Sequence, residues 1–406
     1  MNYKIAGLAM AGLMSSVAFA PSALAADKTI VIGNVNDMSS LYADTGGIGS
    51  EVAAKMAIED SGMEKKGWKI SVISADHQNK PDVGATLTRQ LIDEKHADVI
   101  IDTPNSGVAL AVAAVVKEKN KVFIPSGAAS AALTGAACTP NTVHWTYDTY
   151  ELAHGTGGAI TRAGGKSWFF LTADYAFGKA LEADTTAVVK AEGGTVLGHD
   201  LHPLNTADFS SFLLQAQASK AQVIGLANAG GDTINSIKQA AEFGIIKGGQ
   251  TIAPLLLFIT DVNAMGLKVA QGLEFTSSFY WDMNDGTRAW AKRFQALDPA
   301  HHMPTQGQAG AYAGVLHYLK AVEKVGDPSD GAKVVAEMKA LPTDDPLFGK
   351  GTVRIDGRVT HPAYLFKVKT PEESKYPWDY YKLVATIPAD KAFRPLSESD
   401  CPLVKK

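Results

Sequence analysis

The sequence predicts an α/β protein of two lobes joined by a multi-strand hinge, and three observations carry that prediction. Short β-rich runs alternate with helical stretches of about 10 to 15 residues along most of the chain, the signature of βαβ crossovers and a parallel sheet. The alternation breaks after Thr142–Tyr147 and then restarts. Beyond Pro342, three segments alternate like antiparallel strands, so late stretches return to units begun earlier.

The first unit opens with Thr29-Ile-Val-Ile-Gly-Asn-Val35 as a strand. A Gly-containing loop follows, then a helix through Glu51 to Asp60 with apolar Val52, Met56 and Ala57. Strand Lys69–Ala75, helix Pro81–Glu94, strand Asp98–Asp102, helix Val108–Lys119 and strand Lys121–Pro125 complete it. Pro81 sits in a first helical turn, where its missing N–H costs nothing. The second unit runs through helix Glu151–Arg162, strand Ser167–Thr172, helix Phe177–Glu192 and strand Thr195–Leu201. Helix Phe209–Ser219, strand Gln222–Asn228, helix Ile234–Phe243 and strand Thr251–Phe258 follow, and Phe243-Gly244 reads as a helix stop with a left-handed glycine.

Leu273–Trp281 then reads as a strand, followed by helices Thr287–Leu297, Gln308–Val325 and Gly331–Leu341. Gly351–Asp356, Ala363–Thr370 and Tyr380–Thr386 are the antiparallel segments, and the Pro- and charge-rich tail is expected on the surface. The expected division is 26–148 plus 279–345 for the N-terminal lobe, 149–278 plus 346–387 for the C-terminal lobe, and 388–406 for the tail. A cleft between two such lobes is the natural ligand site.

Residues 1–25 have the form of a signal peptide: a weakly basic start at Lys4, an apolar small-residue run from Ile5 to Leu24, and Ala23-Leu24-Ala25 as the cleavage site. The alternative is an N-terminal membrane anchor, for which the Gly- and Ala-rich run is marginal against a bilayer core of about 30 Å. Cleavage leaves about 380 residues, enough for two hydrophobic cores. Loss of Lys4 takes the net charge from −4 to −5, a mild acidic balance that argues against a nucleic-acid or anionic-membrane surface. Cys138 and Cys401 are the two cysteines. In an oxidising compartment a solitary pair is expected to bond, tying the tail to a distant segment, and the alternative is two separate thiols.

Enzyme signatures are poor. The sequence has no Gly-x-Ser-x-Gly elbow, P-loop or His-Glu-x-x-His, and Gly46-Gly47-Ile48-Gly49 lacks the spacing of a dinucleotide loop. His301-His302 reads as a solvated loop pair and Asp344-Asp345 as a turn. Binding signatures are better. Ser39-Ser40-Leu41-Tyr42, Thr103-Pro104-Asn105-Ser106-Gly107, Ser126-Gly127-Ala128-Ala129-Ser130 and Asn228-Ala229-Gly230-Gly231-Asp232 all follow strands, where open α/β sheets bind ligands. Hydroxyls and helix N-termini there suit a carboxylate. Ordinary helix capping is the rival explanation for each loop alone, with Asp232 or Thr233 well placed to cap Ile234–Phe243.

Four segments carry a family resemblance spanning the whole mature chain. They are Ile32–Gly46 with its Ser/Gly loop and Tyr/Gly helix entry, Phe123-Ile-Pro-Ser-Gly-Ala-Ala-Ser130, His144-Trp-Thr-Tyr-Asp-Thr-Tyr150 and Asp174-Tyr-Ala-Phe-Gly178. In order and spacing the chain resembles the type I periplasmic solute-binding proteins of ABC transporters, in the leucine/isoleucine/valine-binding family. That resemblance implies two Rossmann-like lobes, no cofactor, and a periplasmic monomer that captures a small carboxylate and delivers it to an inner-membrane permease.

The resemblance also implies a ligand set. Ser106 would receive the carboxylate with Asn105 beside it, and Gly127, Ala128 and Ala129 would grip the polar ends of the ligand. Tyr42 would be the first-loop aromatic, Tyr175 and Phe177 the second-lobe wall, Asn228 a further contact, and Asp261 the partner of an ammonium group. Amino-acid binders of the family usually carry a threonine where Ala128 or Ala129 stands here. The lost hydroxyl, with Tyr42, Tyr175, Phe177 and Trp281 expected around the cleft, favours an aromatic acid over leucine-like ligands. Branched-chain amino acids, a sensor lobe and a periplasmic hydrolase or dehydrogenase are the rival readings.

Overall fold

A computed structural model describes Met1 and residues 28–405 of the chain. The expected leader and its cleavage site lie outside the described residues. Two four-stranded parallel sheets dominate. The first contains β1 (Thr29–Asn36), β2 (Lys69–Asp76), β3 (Val99–Ile101) and β4 (Val122–Ile124) in the order β2-β1-β3-β4. The second contains β5 (Ser167–Ala173), β6 (Thr195–His202), β7 (Val223–Ala227) and β8 (Thr251–Pro254) in the equivalent order β6-β5-β7-β8. All neighbours within each are parallel. Strands covered by helices on both faces read as apolar runs, and β3, β4 and β7 are buried at every residue.

The late segments depart from expectation in useful ways. β9 is Glu274–Ser277 rather than Leu273–Trp281, because Phe279, Tyr280 and Trp281 turn into the core. Asp344-Asp345 is not a turn. It belongs to a small hairpin of β10 (Thr343–Asp345) and β11 (Gly349–Gly351). β12 (Ala363–Val368) and β13 (Tyr381–Ile387) are antiparallel as expected and form a third sheet with β9, in the order β13-β12-β9. An isolated parallel bridge joins His144 to Arg358, placing that later segment beside the end of the first unit.

A buried polar cluster occupies these crossings. Arg358, fully buried, donates to the carbonyls of His144 and Thr146 and pairs with Asp148 at 3.3 Å. Asp148 also caps the next helical turn through Glu151 N–H, and the Glu151 carboxylate accepts from Ser278 Oγ at 3.1 Å. Burial, then the nearby Asp148 charge, push the Glu151 carboxyl up to about 8, while Arg358 pulls it the other way. The Cys138–Cys401 disulfide is present, across a separation of 263 residues. Among the described residues, no helix is long and apolar enough to cross a membrane.

Candidate functional site

The loops at the carboxyl ends of six strands, three from each parallel sheet, converge on one nearly filled cavity of about 10 Å3. Tyr42 and Thr45 reach it after β1, Pro104 after β3, and Gly127 and Ala129 after β4. Tyr175 and Phe177 come from the segment after β5, Ala229 from that after β7, and Leu256 and Phe258 from that after β8. Tyr147 enters from the first crossing between lobes. Helices cannot reach this end of a parallel sheet except by their N-termini, which is why such crevices collect ligands.

The first-lobe floor is backbone held by buried polar side chains. Asp102 accepts from Asn36 Nδ2 at 2.7 Å, from Ser126 Oγ at 3.2 Å and from Ser50 Oγ. Burial raises its pKa, and those donors oppose the shift. A Cβ on Gly127 would stand 2.4 Å from Asp102 Oδ1 and 2.9 Å from Pro104 Cα, so no other residue fits there unchanged. The Gly127 carbonyl accepts from the Tyr147 hydroxyl at 2.6 Å, and Ala128 O bonds with His144 Nε2 at 2.8 Å. Ala129 lines the cavity, and its N–H donates no hydrogen bond among the described residues.

The second lobe supplies rings and a helix end. The helix Ala176–Ala191 begins at the cavity with Tyr175 as its N-cap residue, so its first N–H groups lack intrahelical acceptors. Phe177 packs 6.0 Å from Tyr175, and Phe258 meets Tyr147 edge-on at 6.1 Å. The lobes touch through the Tyr42 and Tyr175 hydroxyls, 2.6 Å apart. Gly230, at φ +58, allows the second lobe to close over Leu41 and Tyr42, since a Cβ would lie 2.6 Å from Leu41 O. Burial raises the pKa values of Tyr42, Tyr147 and Tyr175, keeping all three phenols neutral.

Of the residues singled out in the sequence, Tyr42, Gly127, Ala129, Tyr175 and Phe177 line the cavity. The others stand behind it. Asn105 caps the helix Ser106–Glu118 through Gly107 N–H and Val108 N–H, and Ser106 Oγ accepts from Ser130 N–H at 3.2 Å. Ala128 packs into the first-lobe core. Asn228 bonds with His202 Nε2 and accepts from Thr233 Oγ1. Asp261 turns back to accept from Phe258 N–H at 2.9 Å and borders a neighbouring crevice with Asp44 and Asp232; burial lifts its carboxyl to about 7. Trp281 is not at the cleft. It is in the core, its indole N–H donating to Trp378 O at 2.9 Å. Asp232 does not cap its helix either: Gly230 holds the N-cap position, and Asp232 accepts from Thr206 N–H.

Sequence reasoning did not assign Thr45, Pro104, Tyr147, Ala229, Leu256 and Phe258 to the ligand, although Pro104 and Ala229 lie in two of the loops it named. Tyr147 lies within His144–Tyr150, one of the four segments that carry the family resemblance. Leu256 and Phe258 were hidden because an apolar run reads as strand, whereas β8 stops at Pro254 and the rest of the run forms cavity wall. Among the described residues no group of three or more His, Cys, Asp or Glu side chains is arranged to hold a metal ion.

A family profile described as periplasmic binding protein matches residues 29–375. The chain belongs to that family. This periplasmic binding protein is 52% identical to a periplasmic binding protein from Burkholderia mallei, over 93% of this chain and 100% of that one, with a TM-score of 0.90. It is 41% identical to a branched-chain amino acid ABC transporter periplasmic ligand-binding protein from Burkholderia xenovorans, over 93% and 100%, with a TM-score of 0.82. A Rhodopseudomonas palustris ABC transporter solute-binding protein in complex with 3,4-dihydroxybenzoic acid shares the fold at 24% identity, over 89% and 98%, with a TM-score of 0.79. Comparison with curated protein sequences gives no match.

Proposed function

We propose that this periplasmic binding protein captures a small aromatic carboxylate between its lobes and delivers it to the permease of an ABC transporter. One observation carries the ligand class: no charged side chain is among the residues lining the cavity, whereas five of them are aromatic. A zwitterionic amino acid would bury its ammonium group there without a carboxylate partner, at the heavy cost of an unpaired buried charge. An aromatic acid asks less. With the lobes parted, its ring lies against Tyr42, Tyr147, Tyr175, Phe177 and Phe258, and its carboxylate takes backbone N–H groups at Ala129 and the Ala176–Ala191 helix end. The cavity holds only about 10 Å3 of free volume, room for about one water, so a ring enters only with the lobes apart.

In this reading the ligand binds the first-lobe cradle, the crossings bend, and the second lobe closes. Interactions that form only on closure stabilise the closed state. Residues 26–148 with 279–345 form the first lobe and 149–278 with 346–387 the second; the His144–Arg358 bridge supports moving the segment around Arg358 to the first. Residues 1–25 direct export, and the mature protein works in the periplasm as a monomer, without covalent chemistry.

The second reading, a branched-chain amino acid ligand, rests on the Burkholderia xenovorans relative, a branched-chain amino acid transporter component by name. A thermal-shift screen of ligand-stripped mature protein separates the two, because a ligand raises the melting temperature by mass action. Benzoate and hydroxybenzoates should raise it while leucine, isoleucine and valine leave it unchanged. Stabilisation by the amino acids alone would overturn the aromatic reading.

A further inference from the structure

The tail crosses between the lobes in its own right. It leaves β13 at Ile387, and Phe393, 2% exposed, then packs edge-on to His361 at 5.1 Å and beneath the Arg358 guanidinium at 4.4 Å. Arg394 reaches the second lobe. Its Nη2 lies 3.2 Å from Asp184 Oδ1, on the same helix whose N-terminus opens onto the cavity, and its guanidinium stands 5.0 Å from the Tyr150 ring. The Arg394 carbonyl accepts from Arg354 Nη1 at 2.8 Å. The far end returns to the first unit, where Cys401 is bonded to Cys138. Asp400 sits so close over Gly135 that a Cβ there would come within 2.5 Å of its carboxylate.

We propose that residues 388–401 form a strap that limits the opening of the cleft, held in its docked position by the Cys138–Cys401 bond. Length alone does not do this, since the stretch from Ile387 to Cys401 would reach roughly 50 Å if extended. Docking does. With its end covalently fixed, the tail cannot leave the surface as a whole, and the local concentration of Arg394 at Asp184 stays high. Wide opening must part Arg394 from Asp184 and Tyr150 or draw Phe393 from beneath Arg358. The strap therefore raises the fraction of molecules near the closed state, and with it the apparent affinity. The affinity part rests on the cleft reading above, whereas the geometric part does not.

Small-angle X-ray scattering of the ligand-free mature protein tests the strap directly. The Cys138→Ser/Cys401→Ser protein should have a larger radius of gyration than wild type, and saturating benzoate should bring the two together. Its benzoate Kd should be weaker by about three- to tenfold, through faster dissociation. Arg394→Ala, with the disulfide intact, should shift both quantities in the same direction by less, and it carries the test if the double variant does not fold. Equal radii for the ligand-free variants and wild type would overturn the strap, whatever happens to affinity. Should wild type not bind benzoate, the ligand-free scattering still decides the strap, and the ligand reading alone falls.

Discussion

Gly127 and Phe258 both line the cavity, one from each lobe, and they are held in place differently. Around Gly127 the backbone is fixed by Tyr147, by His144 on the neighbouring carbonyl and by the buried Asp102 with its three side-chain donors. Around Phe258 the restraints are local: its N–H donates to Asp261, its carbonyl accepts from Asp261 N–H and Val262 N–H at the start of the helix Ile259–Met265, and its ring packs against Tyr147. The first lobe is thus a preformed polar cradle, intolerant of an added atom. The second is an apolar wall whose contribution scales with the area it covers. Under the proposed function, the first side would set ligand position and the second residence time.

The sharpest way to break that contrast is Gly127→Ala. Its Cβ collides with Asp102 and with the Pro104 backbone, so benzoate affinity should fall by about 3 kcal/mol, roughly a hundredfold. Calorimetry showing a loss under threefold would mean that the cradle is not rigid. Next in size is Tyr175→Ala, which removes a cavity-lining ring and the hydroxyl contact with Tyr42. It should cost about 1–2 kcal/mol, carried by faster dissociation. Slower association with unchanged dissociation, measured by stopped flow, would contradict the assignment of closure to this wall.

Glu151 sharpens the comparison from the crossing between the lobes. The folded protein holds its proton up to about pH 8, whereas the unfolded chain releases it near 4.5, so stability falls as pH rises between those values. The slope is at most about 1.4 kcal/mol per pH unit for one proton. Glu151→Gln should flatten it in urea melts at pH 5 and pH 8, and an unaltered slope would show that Glu151 does not titrate there. The smallest expected effect is Ser106→Ala. Its hydroxyl supports Ser130 N–H behind the cavity, so binding should weaken by less than about 1 kcal/mol. A tenfold loss would instead place Ser106 on the ligand.

Much of the site was legible because its loops follow strands, and strands announce themselves by local pattern. Tyr42, Gly127 and Ala129 lie in such loops, and with Tyr175 and Phe177 they were singled out through the family resemblance. Asn105 shows the limit. Its oxygen has two uses, ligand contact or helix cap, and the sequence is identical for both; the cap is the one made. Asp261 shows it again, as a capping carboxylate that sequence alone could place on an ammonium group.

The sequence by itself determined the alternation of strands and helices, the two equivalent units and the one disulfide that two cysteines could form within the chain, because periodicity, propensity and a solitary thiol pair are local or combinatorial facts; that the bond is present came from the structure. Tertiary structure alone decided which residue of each loop turns into the cavity: Ala129 and not Ala128, Phe258 and not Asp261, with Trp281 withdrawn into the core. Those choices depend on groups apart in the chain: Asp102 meets Gly127 when β3 pairs with β4, and Leu41 meets Gly230 only when the two lobes come together.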